Sequence, residues 1–300
     1  MKRMKIVATL LFLAAANLAH AELNVFACEP EWAALVKELG GNDVRIYAAT
    51  TGLQDPHHIQ ARPSLIAKMR QADLVVCTGA ELEIGWLPLL LNESGNGRVQ
   101  PGQPGYFEAA RYVAMMEVPS RLDRSQGDIH AAGNPHIQTD PRTFAKVAAP
   151  LARVMAQLDA ARGTDYARRE QAFQARWAQA MRAWQSKAAP LKGVAIAVQH
   201  DGFPYLENWL GLRRVAELEP KPGVDPSVSY LATILERLKS SPAKMVLRAA
   251  YQSDRPSAWL SEHAGIPAVA LPFTVGGDAD ASDLYSLFDD TLNRLLGGLK

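Results

Sequence analysis

Three of the seven histidines share a setting in which they could bind one metal ion. His57 follows an Asp-Pro pair, His136 follows an Asn-Pro pair, and His200 follows the apolar run from Val194 to Val198. Each lies beyond the carboxyl end of a predicted strand or in a long loop, which is where open α/β sheets bind ligands. Three neutral imidazoles that converge there would suit Zn²⁺, which takes nitrogen, sulfur and oxygen ligands in tetrahedral geometry.

The other histidines receive weaker interpretations, because a single loop histidine is more often a solvated side chain than a ligand. His58 adjoins His57, and neighbouring loop residues rarely both reach one ion, so we interpret it as auxiliary or facing solvent. His130 lies in the polar stretch 121–134 and is an auxiliary candidate or merely solvated. His263 stands near the end of a predicted helix, where a cation interacts favourably with the helix dipole.

The first 21 residues have the pattern of an export signal. Three basic residues within the first five positions precede an apolar run from Ile6 to Leu18, and positions 19–21 read AHA, a small-x-small cleavage pattern. The run is too short to span a bilayer as a finished helix. We therefore expect cleavage after Ala21 and a periplasmic mature chain without membrane insertion, with an uncleaved anchor as the alternative.

Charge argues against nucleic acid or an anionic membrane as the main partner. Without the signal segment, 29 Lys and Arg residues remain against 31 Asp and Glu residues, which gives a net charge of −2. A nucleic-acid-binding surface would need a basic excess.

Only two cysteines occur, at positions 28 and 77. Both end predicted strands that should be neighbours in one parallel sheet, and an exported chain folds in an oxidising compartment, so we predict a Cys28–Cys77 disulfide. The alternative is two separate buried thiols.

Strands that alternate with helices predict an α/β fold of two lobes, each a parallel sheet flanked by helices. The predicted strands span residues 23–28, 44–49, 73–77, 194–198, 244–247 and 268–271. A helix should begin after Asp140, and Pro150 should kink or break it. A wide apolar stripe from Thr164 to about Lys187 predicts one long helix, either a plain core helix or a rigid spine between the lobes. The expected division is a signal peptide at 1–21, a first lobe at 22–163, the linking helix at 164–188 and a second lobe at 189–300.

Taken together, these segments resemble the zinc/manganese class of ABC-transporter solute-binding proteins, also called cluster A-I. The resemblance covers essentially the whole mature sequence. Five motifs in the family's order carry it: DPHH at 55–58, ADLVV with GAELE at 72–83, GNPH at 133–136 with DP at 140–141, HDGFPY at 200–205, and EPKPGVDPS at 219–227.

The resemblance implies two α/β lobes joined by one long helix, with the metal bound in the cleft between them. His57 and His136 occupy the first lobe's ligand positions, and His200 occupies the second lobe's. With histidine at this third position the sequence resembles the zinc branch of the family, whereas members of the manganese branch tend to have a carboxylate there. The implied cargo is Zn²⁺ rather than Mn²⁺. The implied partners are a permease and its ATPase, and the chain itself is expected to be a monomer.

The chain departs from the family pattern in two loops. Val275 stands where many members have an aspartate ligand, and Asp278 is the nearest replacement; water could fill the fourth position instead, and Asp278, Asp280 and Asp283 could simply cap the last helix. The loop 121–134, often rich in histidine and acid in zinc-binding members, carries few such residues here, namely Asp123, Asp128 and His130.

Two other functions fit parts of the pattern. Three histidines with an open fourth position also describe a secreted zinc hydrolase. No His-Glu-x-x-His motif occurs, however, and Glu207 lies too far along the helix after His200 to act as a general base, so we expect no enzyme. A zinc chaperone or buffer without a permease partner stays open.

Overall fold

Two parallel four-stranded sheets follow one another along the chain in the computed structural model, which describes residues 22–121 and 127–299. The first sheet has the order β2-β1-β3-β4 and consists of β1 (Leu23–Ala27), β2 (Val44–Ala48), β3 (Leu74–Cys77) and β4 (Tyr106–Glu108). The second has the order β6-β5-β7-β8 and consists of β5 (Ala195–Val198), β6 (Arg213–Glu217), β7 (Met245–Ala249) and β8 (Ala268–Leu271). The predicted α/β fold class is confirmed. The signal segment, its cleavage after Ala21, and Asp123 lie outside the described residues.

Nine α-helices flank these sheets within the described ranges. We call the part with the first sheet the first lobe; it carries α1 (Pro30–Gly40), α2 (Pro63–Gln71), α3 (Leu87–Ser94) and α4 (Pro141–Leu158). The second lobe contains the second sheet and carries α6 (Pro204–Leu210), α7 (Val228–Ser240), α8 (Arg255–Ala264) and α9 (Leu284–Gly297), and α5 (Gly163–Lys187) lies between the lobes. None of these helices combines the length and apolar character that crossing a membrane requires.

Helix α4 continues through Pro150, so of the two predicted outcomes, a kink or a break, the break is wrong. A proline inside a helix costs about 3 kcal/mol, because it removes a hydrogen bond and its ring meets the preceding turn. The helix buries Phe144, Val147, Leu151 and Met155 completely, and each such side chain contributes roughly 1.5–3 kcal/mol. The packed face therefore outweighs the local penalty.

Helix α5 has 25 residues, which corresponds to about 37 Å at 1.5 Å per residue. Its buried Trp177 packs its ring against Phe144 of α4 and Phe288 of α9, with centroids 5.7 and 5.8 Å apart. Phe144 also contacts Trp32 of α1 at 5.5 Å. One aromatic core thus connects helices of both lobes through α5, as the rigid-spine interpretation requires.

The structure contains the predicted disulfide between Cys28 and Cys77, whose Cα atoms are 4.8 Å apart. Ala27 and Val76 are register partners in neighbouring parallel strands, and each precedes one of the cysteines. The bond therefore joins the carboxyl ends of β1 and β3.

Candidate metal centre

His57, His136 and His200 form one buried cluster in which a ring nitrogen from each lies within 4.8 Å of the other two. The Nε2 atoms of His136 and His200 are 3.3 Å apart. Two ligands at 2.0–2.1 Å from a tetrahedral zinc ion would stand about 3.3 Å apart, so this pair already has the required separation. The ring centroid of His57 lies 5.2 Å from that of His136 and 5.9 Å from that of His200.

The orientation of His57 is set by its own loop. Its Nδ1 and its backbone N–H both donate to Oδ1 of Asp55, at 2.8 and 3.0 Å. The indole N–H of Trp86 donates to the carbonyl of Pro56 at 2.8 Å and so anchors the loop. The opposite nitrogen, Nε2 of His57, is buried and has no hydrogen-bond partner among the described residues. A buried nitrogen with a free lone pair is suited to a metal ligand.

Asn134 positions His136 and links the two lobes. Its side-chain oxygen accepts from the backbone N–H of His136 at 3.1 Å, while its side-chain nitrogen donates to the carbonyl of Asp201 at 2.8 Å. The hydroxyl of Tyr205 donates to the carbonyl of Asn134 at 2.8 Å. The position of His136 therefore depends on contacts with the second lobe.

Glu219 holds His200, and sequence reasoning did not assign it a role. Val198 of β5 pairs with Glu217 of β6, and His200 and Glu219 each lie two residues beyond that pair. Nδ1 of His200 donates to Oε2 of Glu219 at 2.7 Å, which directs Nε2 towards the other two histidines. Glu219 begins the motif at 219–227, so the sequence did mark this residue. Strand β6, which places it beside His200, was not among the predicted strands.

Burial keeps part of the cluster uncharged. It lowers the pKa of His136 well below the ordinary value, and the repulsion that a protonated His136 would meet from a protonated His57 lowers it further. Burial and His57 lower the pKa of His130 to about 4. Burial also opposes a charge on His200, but the hydrogen bond and charge of Glu219 outweigh it and raise the pKa. Metal ligation needs the neutral imidazole, and His136 is neutral at pH 7.

The two auxiliary histidines, His58 and His130, differ in their surroundings. The ring centroid of His130 is 5.4 Å from that of His57, and the backbone N–H of Ala131 donates to Glu81 at 2.8 Å, which fixes this part of the loop. His58 is 68% exposed, and its Nε2 lies 3.8 Å from Asp128. His263 stacks on Trp259 of its own helix.

The structure does not bring Asp278 into the cluster. One of its carboxylate oxygens pairs with Arg294 of α9 at 2.7 Å, and the other accepts from the backbone N–H of Asp280. Asp283 caps α9 in a capping box with Ser286, as the helix-capping alternative expects. In this arrangement Asp278 is a surface ion-pair residue.

The two lobes touch closely on one side of the cluster. A Cβ atom at Gly52 would lie 2.2 Å from the backbone nitrogen of Gly277, so the two loops approach within a distance that only glycine permits. The ring of Phe273 lies 5.2 Å from that of His136, and Thr274 donates its hydroxyl proton to the buried Glu31 of α1. These contacts hold the second lobe's loop against the first lobe.

Sequence comparison identifies relatives along nearly the whole chain. The family described as "ZnuA: Zinc-uptake complex component A periplasmic" matches residues 25–297. The metal ABC transporter substrate-binding lipoprotein SloC of Streptococcus mutans serotype c is 21% identical over 289 residues, covering 94% of this chain and 91% of the relative. The manganese ABC transporter substrate-binding lipoprotein PsaA of Streptococcus pneumoniae is 22% identical over 300 residues, covering 93% and 89%.

Structure comparison leads to the same fold. The crystal structure of ZnuA superimposes with a TM-score of 0.76 at 19% sequence identity, covering 93% of this chain and all of the other.

Proposed function

The chain belongs to the ZnuA family of metal-binding ABC-transporter components, and on that premise we propose that it captures Zn²⁺ in the periplasm and delivers it to an ABC-type importer. The observation that carries the choice of zinc is the cluster of His57, His136 and His200. It offers three buried imidazole nitrogens, two of them 3.3 Å apart.

The donor set favours Zn²⁺ over Mn²⁺. Imidazole suits zinc, whereas manganese prefers carboxylate, carbonyl and water oxygens. The carboxylates nearest the ring nitrogens, Asp55 and Glu219, are engaged with the Nδ1 atoms of His57 and His200. They orient the ligands and increase their basicity, as carboxylates do behind zinc-bound histidines. The relative PsaA is named for manganese, so the metal must be tested directly.

For the fourth position we propose His130 or a water molecule. The ring of His130 adjoins that of His57, whereas Asp278 is paired with Arg294. A low pKa keeps His130 neutral at pH 7, which suits a metal ligand. Asp278 would have to give up its ion pair before it could bind metal.

Competition titration tests the metal and the site count together. The chelator-stripped mature chain is titrated with Zn²⁺, and in parallel with Mn²⁺, against a chromophoric chelator. We expect one tight Zn²⁺ per chain and an at least 100-fold preference for Zn²⁺. Equal or tighter binding of Mn²⁺ would reject zinc as the cargo.

We further propose that the chain is an exported monomer with lobes 22–163 and 189–300, that it serves a permease and ATPase, and that it does not catalyse hydrolysis. Glu207, the carboxylate that follows His200 in sequence, is bound to Arg214 at 2.9 Å and is thereby engaged. An uptake assay distinguishes delivery to a permease from zinc buffering. In cells that lack this chain, restoring it should restore zinc uptake only when the permease is present.

A further inference from the structure

One short segment beside the histidine cluster, residues 127–131, is hydrogen-bonded to both lobes; we call it the strap. At one end the backbone N–H of Asp128 donates to the carbonyl of Pro222 in the second lobe at 3.0 Å. At the other end the backbone N–H of Ala131 donates to Oε2 of Glu81, which follows β3 in the first lobe, at 2.8 Å. The strap therefore has one anchor on each lobe.

The strap carries His130, whose ring centroid lies 5.4 Å from that of His57. Burial lowers the pKa of His130, whereas the negative charge of Glu81 and a hydrogen bond from the ring to the Glu81 backbone act in the opposite direction. Glu81 thus interacts with the strap at two points, the amide of Ala131 and the imidazole ring. Such a partner on one ring nitrogen is how proteins fix the orientation of a histidine that binds metal through the other.

The backbone that presents Glu81 is strained. Three consecutive residues after β3 have positive φ, namely Gly79 at 77°, Ala80 at 52° and Glu81 at 68°. Only glycine adopts this conformation without a cost in free energy, and strain of this kind persists where surrounding contacts enforce it, often at ligand sites. The buried Glu83 enforces it here, because its carboxyl group accepts the backbone N–H groups of Thr78 and Gly79 at 2.7 and 3.1 Å. The turn therefore fixes the direction in which Glu81 meets the strap.

The second-lobe anchor of the strap lies in the turn that also holds His200. Oε2 of Glu219 accepts from Nδ1 of His200 and from the backbone N–H of Gly223, both at 2.7 Å. Pro222, which accepts from the strap, directly precedes Gly223. A Cβ atom at Gly223 would lie 2.2 Å from Oδ2 of Asp128, so the turn and the strap are in close contact. This anchor is thus fixed by the same carboxylate that orients a metal ligand, which leaves Glu81 as the separate anchor in the first lobe.

We propose that Glu81 is a positioning residue of the metal centre, whose carboxylate anchors the strap and thereby holds the ring of His130 beside His57 as the fourth ligand. This inference rests on the proposed zinc site and deepens it, because it assigns the residue that makes the fourth position available. Asp55 and Glu219 engage the rings of their histidines directly, whereas Glu81 acts chiefly through the backbone of the strap.

Competition titration with Zn²⁺ on variants of Glu81 tests this role. Glu81→Ala should weaken binding five- to tenfold, because a released strap must be ordered again when His130 binds the metal. Glu81→Gln keeps an oxygen that accepts from Ala131 and should bind within twofold of wild type. Glu81→Gly relieves the positive φ without restoring the carboxylate, so it should lose as much as Glu81→Ala. Glu93→Ala, on the exposed face of α3, is the matched control and should bind as wild type.

The effect of Glu81→Ala should disappear when His130 is absent. In a chain that already carries His130→Ala, the further replacement of Glu81 should change the Zn²⁺ affinity by less than twofold, since the strap no longer bears a ligand. Wild-type affinity in Glu81→Ala would overturn the proposal. An equal loss in both backgrounds, or recovery of affinity in Glu81→Gly, would do the same, because either result would show that Glu81 acts on the fold and not on His130.

Hydrogen exchange of the metal-free chain in chelator separates this proposal from the choice of cargo. Glu81→Ala should accelerate amide exchange within residues 127–131, whereas Glu81→Gln should leave it close to wild type. Unchanged exchange in Glu81→Ala would overturn the anchor, whatever metal binds. Preferential binding of Mn²⁺ together with the expected exchange difference would instead reject zinc as the cargo and still support Glu81 as the anchor of the strap.

Discussion

Nδ1 of His200 lies 2.7 Å from Oε2 of Glu219, and both side chains are buried. The carboxylate fixes the ring orientation and makes Nε2 a stronger donor to a metal, so we predict that Glu219→Gln weakens Zn²⁺ binding 10- to 100-fold. Competition titration measures the loss. Glu262→Gln, on the exposed side of α8, should leave the affinity unchanged. Wild-type affinity in Glu219→Gln would mean that the hydrogen bond does not tune the site.

The three clustered histidines should be jointly required. Replacing His57, His136 or His200 by Ala should each lower Zn²⁺ affinity at least 100-fold, since a tetrahedral site loses a ligand that its neighbours cannot replace. His58→Ala is the control, because this exposed neighbour of His57 should change the affinity by less than threefold. Tight zinc binding by His200→Ala would refute the assignment.

The fourth position can be assigned by comparing His130 with Asp278. We expect His130→Ala to weaken Zn²⁺ binding about tenfold, and Asp278→Asn to leave it within twofold, because Asp278 pairs with Arg294. The same titration serves both variants. The reverse result, with Asp278→Asn the weaker binder, would show that the loop swings Asp278 into the cluster when zinc binds.

Glu31 should make the metal-free chain less stable as pH rises. Burial raises its pKa to about 7, so between pH 4.5 and 7 the folded state keeps a proton that the unfolded chain releases. Relative to Glu31→Gln, the wild-type free energy of unfolding should therefore fall by up to about 3 kcal/mol across this range. Urea denaturation in chelator at pH 4.5 and 7.5 measures the difference. A pH-independent difference would mean that Glu31 ionises normally in the fold.

Metal binding should order loops without closing the lobes. The aromatic contacts of Trp177 and the close approach of Gly52 to Gly277 fix the lobes against each other. We therefore predict a nearly unchanged radius of gyration on zinc binding, with hydrogen-exchange protection gained chiefly in the loops 54–62, 121–134 and 276–283. Small-angle scattering and hydrogen exchange measure the two quantities. A clear decrease in the radius of gyration would contradict the rigid connection.

Much of the fold could be predicted from apolar periodicity, and the failures have local causes. Strand β6 was missed because its sequence RRVAE is largely polar, and β4 because it has only three residues. Helix α3 has a nearly continuous apolar start that includes a proline, which gives no clear helical period. The predicted break at Pro150 does not occur, because the sequence shows the local penalty of a proline but not the tertiary packing that offsets it.

The candidate site was predictable to the extent that its residues follow strands or recur in motifs. The structure brings together the three histidines singled out from sequence, and it adds the partners Asp55 and Glu219. Asp278 is the nearest acidic residue in sequence to Val275, but its orientation depends on Arg294, which lies on the last helix. Such a pairing becomes visible only when α9 is placed in three dimensions.

The glycine contact between Gly52 and Gly277 has a kinetic consequence. Because the lobes are in contact there, metal exchange should be easier on the side of the cluster where His58 is 68% exposed. The free energy needed to displace the loop that carries His58 would then set the residence time of the metal. An acceptor that displaces the loop could accelerate release without weakening the ligands themselves, so affinity and release rate could be adjusted separately.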